Sequence, residues 1–235
     1  MNGLAALNGW WQSDAVLPAL ALTRWSVPAS WALVLAALAC HWTRARSLRT
    51  SVLIMALLVT WAMLPAPGAA GRVLGLAFQA PSLLTLVWSA SVVAQRLRPG
   101  ALAWSPTPSW VIYALCALGW VLLLDTFALT PVSVYAWGFR VPLLVAVAVV
   151  GAVALMVSVT RPPATCGTAW VLVGCLGLYV VTRLPTGNVW DALLDPWLWL
   201  ILQGRLLGTA FRAWRARVAT RAAAARLEAA TGSQR

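Results

Sequence analysis

The sequence predicts an all-α polytopic integral membrane protein. It reads as a bundle of about seven transmembrane helices, N-terminus outside and C-terminus inside, with a basic amphipathic helix at its C-terminal end. Three observations lead there. Hydrophobic residues fill 62% of the 235 positions, charged residues only 9%, and mean hydropathy is +0.83, where a soluble domain carries roughly a quarter charged residues. Uncharged runs of about bilayer length recur along the chain. The short gaps between them hold nearly all the arginines.

Taken in order, residues 1–24 carry Trp10, Trp11 and Asp14, lack a basic leader and are broken by Pro18. They predict a retained outer-side interfacial segment, not a cleaved signal. Residues 25–210 then form the membrane domain. Its first three runs are Trp25 to Thr43 (19 uncharged positions), Thr50 to Gly71 (22) and Val73 to Gln95 (23). Pro65 and Pro67 end the second helix early. The run from Pro99 to Leu124 opens with prolines, so its helix starts near Ser109. Val141 to Thr160 and Pro162 to Thr182 supply the fifth and sixth spans. The seventh, Asn188 to Gly204, holds Asp191 and Asp195. Within it Asp195-Pro196 reads as a helix N-cap followed by proline at the first helical position.

Charge decides the span count. With seven spans and the N-terminus outside, 13 of the 17 arginines fall on the inner side, including the tail's Arg205, Arg212, Arg215, Arg217, Arg221, Arg226 and Arg235. Arg24, Arg72, Arg140 and Arg183 face outward with Asp14, Asp125, Asp191 and Asp195. This is the positive-inside pattern, and it sets the basic face against the anionic inner leaflet. Residues 211–235 read as a cytoplasmic tail. Leu207, Phe211, Trp214, Val218, Ala222 and Ala225 share a helical face there. Arg212, Arg215, Arg217 and Arg221, with Trp214, are its candidate contacts to inner-leaflet lipid or to a partner. No nucleic-acid-binding module is legible. All basic residues are arginine, which with the abundant alanine points to a GC-rich bacterial genome.

Catalytic constellations are scarce. Asp191 and Asp195 have the D-x-x-x-D spacing that holds Mg²⁺ on a diphosphate, as intramembrane prenyltransferases do. The second acidic cluster such chemistry needs is lacking, and the acids fall on the wrong side. His41 is the only histidine, which leaves a nucleophile without an oriented base and haem without a second ligand. Cys40, Cys116, Cys166 and Cys175 show no metal or disulfide spacing. No cofactor and no metal are expected. Charge-free span centres disfavour ion-coupled transport. Sixteen tryptophans suit an interfacial belt.

The leading expectation is therefore a non-enzymatic, multi-pass protein of the bacterial inner membrane. It would be an accessory or scaffold subunit of an envelope assembly for polysaccharide or lipid handling or secretion, with the bilayer, anionic lipids and other membrane proteins as partners. The second expectation is a small permease, facilitator or flippase-like transporter. The third is an enzyme on a lipid-linked substrate. The candidate functional residues form an outer mouth: Asn188, Asp191, Asp195, Arg183, Arg140, Trp197 and Trp199. Within it, Asn188 and Asp195 are read as helix caps, and Asp191 as an ion-pair partner of Arg183 or Arg140.

Overall fold

A computed structural model of the chain describes residues 17–99, 109–159 and 167–232. Along them run α1 (Leu20–Trp42), α2 (Leu48–Met63), α3 (Ala70–Phe78), α4 (Leu83–Leu97) and α5 (Ser109–Thr126), then α6 (Val134–Trp137), α7 (Val141–Val159), α8 (Gly167–Thr182), α9 (Val189–Leu193) and α10 (Pro196–Gly232). Trp10, Trp11, Asp14, the Pro99–Pro108 loop beyond Pro99, Arg161, Cys166 and Arg235 lie outside the described residues.

Local chemistry sets the helix ends. Ser47 and Ser82 are the N-caps of α2 and α4, and their hydroxyls accept from the Thr50 and Thr85 N–H groups. Each satisfies a backbone donor the helix itself leaves orphaned. α2 stops just before Pro65, whose ring cannot continue a helix. α3 ends at Gln79 (φ 60°) and α8 at Arg183 (φ 57°). Left-handed backbone costs a non-glycine residue about 1–2 kcal/mol, so other contacts must hold it. The Trp31 indole N–H donates to the Gln79 carbonyl at 2.7 Å, and the Gly187 N–H donates to the Arg183 carbonyl at 2.8 Å.

α1 packs on α2, α3 and α4. Small side chains make this close: Ala32, Ala62 and Ala70 meet in one patch, and Ala36, Ala39 and Cys40 meet Met55 in another. Gly71 is required between them, because a Cβ there would sit 2.5 Å from the Ala62 carbonyl and 2.8 Å from Pro28. The larger core joins α4 and α5 to α7–α10. Leu83, Cys175, Tyr179, Val189 and Leu202 in it are at most 1% exposed. α4 touches both α1 and α8 and so welds the two regions together.

The result is one compact all-α domain held by long-range helix packing, and it corrects the seven-span bundle. Among the described residues one helix, Leu20–Trp42, is long and apolar enough to cross a membrane. Leu48–Met63 and Leu83–Leu97 run only 16 and 15 residues. For two of the expected spans the reason is physical: an uncharged run is not one helix. The run from Val73 to Gln95 is broken at Gln79 and restarts at Leu83, and the run from Asn188 to Gly204 is broken at Leu194. With the spans go the N-out/C-in charge count, the multi-pass inner-membrane location, and the bilayer, anionic inner-leaflet lipids and other membrane proteins as partners. The envelope-scaffold and transporter readings go as well, since both rested on that architecture. The exterior is nevertheless apolar: Leu20, Leu76 and Val181 are 88%, 82% and 83% exposed.

Candidate functional site

The expected mouth residues do not converge on one site. Asn188 is fully buried and caps α9, its side-chain oxygen accepting from the Trp190 N–H at 2.9 Å. Its amide donates to the Tyr135 carbonyl at 3.0 Å. The Trp190 indole donates to the Val134 carbonyl at 3.0 Å, and the Val189 N–H to the Gly138 carbonyl at 2.9 Å. The start of α9 is thereby clasped to the four-residue α6. Gly138 makes room for it, because a Cβ there would lie 1.7 Å from the Asn188 side-chain oxygen.

Asp191 belongs to the same clasp. Its carboxylate accepts from the Tyr135 hydroxyl at 2.8 Å and from the Thr186 hydroxyl at 2.5 Å. The expected ion pair with Arg183 or Arg140 is replaced by these two hydroxyls. Arg183 instead lies over the Tyr179 ring, 5.4 Å from its centroid. Burial, together with the hydrogen bond to Asp191 and its charge, pushes the Tyr135 phenol up to about 12. On the other side of α6, Asp125 accepts from Thr130, Ser133 and the Tyr135 N–H. The Thr130 hydroxyl first, then that N–H, hold its carboxyl below the ordinary carboxylate range.

Asp195 points elsewhere. One carboxylate oxygen caps α10 by accepting from the Leu198 N–H at 2.8 Å. The other accepts from the Ser82 N–H at 2.9 Å and the Thr85 hydroxyl at 2.6 Å. A single buried carboxylate thus pins the N-termini of α4 and α10 together. Trp197 stands edge-on to Phe78 at 4.8 Å, and Trp199 edge-on to Trp120 at 5.2 Å with its indole donating to the Cys116 carbonyl. These side chains pack the body and do not gate an opening. Arg140 lines a small open groove of about 280 Å³ with Trp137, Pro142, Leu143 and Ala146.

The carboxylates near the expected mouth are therefore engaged in capping and clasping. Among the described residues, no group of three or more His, Cys, Asp and Glu side chains is placed to hold a metal. Sequence reasoning did not pair Asp191 with Tyr135 and Thr186, because these belong to a short helix and a loop with no periodic signal. It also missed Arg96. That side chain donates to the Ser51 hydroxyl at 2.7 Å and to the Arg46 carbonyl at 2.8 Å, closing the α1–α2 corner from the end of α4.

The other candidate set lies on α10. Asp195, Leu198 and Leu202 are buried at its start, and Leu206 packs against the core. Beyond that point the helix leaves the body. Leu207, Phe211, Trp214 and Val218 are 70%, 55%, 59% and 46% exposed. Arg212, Arg215, Arg217 and Arg221 are exposed on the same stretch. Phe211 and Trp214 lie 5.7 Å apart, and Arg215 sits over the Phe211 ring at 5.9 Å. No protein-family model, no curated protein and no solved structure matches this chain.

Proposed function

We propose that this protein is a non-catalytic binding protein that works through the projecting part of α10, with the helical body as its mount. One observation carries the reading. A single helix changes from buried at Leu198 and Leu202 to exposed and apolar at Leu207, Phe211, Trp214 and Val218, with arginines alongside. Large apolar side chains held in a row on a rigid element are the usual anchors of a protein interface, and arginine is enriched there with them. The engagement of Asp125, Asp191 and Asp195 in structural hydrogen bonds supports a binding role over a catalytic one.

The test is site-specific cross-linking in producing cells. A photoreactive phenylalanine analogue replaces Phe211 in one variant and buried Leu202 in another. An adduct carrying a second protein is expected from position 211, with only internal cross-links from position 202. An adduct to lipid alone, or none from position 211, would overturn the reading.

A further inference from the structure

On the reading that α10 is the working surface, we infer that its partner is an acidic amphipathic helix that pairs with it as a short coiled coil. Leu200, Gly204, Leu207, Phe211, Trp214 and Val218 follow one another at intervals of four, three, four, three and four. That alternation is the heptad seam of a coiled coil, with Gly204, Phe211 and Val218 at a positions and Leu200, Leu207 and Trp214 at d positions. The seam spans about 27 Å at 1.5 Å per residue.

The body leaves this seam open. Leu198, Leu202 and Leu206, spaced four apart, form the face of α10 that meets the core. At 100° per residue that face lies opposite the seam. Leu200, at 53% exposed, and the side chains from Leu207 to Val218 accordingly point away from the body. A glycine at position 204 lets a second backbone come close.

Charge then selects the partner. Arg215 and Arg217 occupy the e and g positions flanking the seam, where interhelical charge pairs choose partner and orientation. Residues 205–221 hold five arginines and no acid. A second copy would therefore bring like charges together, at a cost in affinity. A glutamate-flanked helix would match both the seam and its edges. The narrowness of the stripe between Leu207 and Val218 also favours a helix over a lipid surface. The positions beside it are Gly208, Ala210, Arg215 and Arg217, whereas a surface-seeking helix carries a broad apolar face.

The probe is a labelled synthetic peptide of about three heptads, with leucine at a and d and glutamate at e and g. Its binding to the full chain is followed by fluorescence anisotropy. Saturable binding is expected, weakened about tenfold or more in the Arg215→Glu, Arg217→Glu double variant. That variant should in turn gain binding to the same peptide with lysine at e and g. Both arginines are exposed, and an unchanged circular dichroism spectrum certifies the fold of the variant.

Failure to bind the glutamate peptide overturns the inference, as does equal binding of the glutamate and lysine peptides. So does dimerisation of the chain alone that Phe211→Asp abolishes, or displacement of the peptide by vesicles of phosphatidylglycerol and phosphatidylcholine. A protein cross-link from position 211 without peptide binding would remove this inference alone. Loss of both would remove the function proposed above as well.

Discussion

Tyr135 and Asp125 hold the short α6 in place, and their protonation states set the pH range of that hold. Asp125 is depressed, so what it contributes is present above the ordinary carboxylate range and is lost as pH falls through its lowered value. Tyr135 is raised, so its contribution is complete below about pH 10, the ordinary phenol value. It falls as pH rises toward the value of about 12 at which the folded phenol ionises. Thermal unfolding followed across alkaline pH should therefore show the midpoint dropping between those limits, and Tyr135→Phe should flatten the drop. A midpoint equally steep in the variant would mean that the phenol is not coupled to folding. None of this was legible in the sequence. Asp191 could be read as an acid near arginines, but one of its two hydroxyl partners is 56 positions away. Nothing local marks Tyr135 as that partner.

At the scale of elements, helix starts were the most legible feature and helix lengths the least. Asp195-Pro196 and Asn188 announce their helices because capping depends on side chains adjacent in sequence, and both residues accept the expected backbone N–H. The length of the run from Val73 to Gln95 failed because no charge marks the break at Gln79, where the indole of Trp31 from a distant helix holds the left-handed turn. Asp195 also does something no cap rule foretells: it bonds the start of α4 across 113 residues. Asp195→Ala should cost about 3–5 kcal/mol in chemical denaturation, the loss of a cap plus one buried and one half-buried donor left without a charged acceptor. Asp195→Asn should cost less, since its oxygen still caps α10 while its amide turns an N–H toward the Ser82 N–H. Equal stabilities for wild type and the alanine variant would mean that water replaces the carboxylate at no cost.

For the whole molecule, composition reported truthfully that the chain holds more apolar surface than its core hides. Leu53, Leu57 and Leu76 are 71%, 69% and 82% exposed, and faces of that kind are where association begins. Composition could not report how the helices are cut and packed, which depends on contacts between distant parts of the chain.

The consequence is sharpest for α1, the one candidate span among the described residues. Trp25 and Trp42 on it are 67% and 72% exposed, but Trp31, Ala32, Ala36 and Ala39 are buried against α2, α3 and α4. A helix serving only as an anchor would leave the rest of the chain folded without it. The packing of Pro28 on Gly71 and of Trp31 on the Gln79 turn argues that α1 is part of the fold. Removal of residues 1–43 should therefore abolish cooperative thermal unfolding. Trp31→Ala, which empties a buried aromatic site at about 3–5 kcal/mol, should lower the midpoint by roughly 10 °C in a chain of this size. If the truncated chain melted as sharply and as high as the full one, α1 would be an appendage, and the close packing of Gly71 would have no role in holding the domain together.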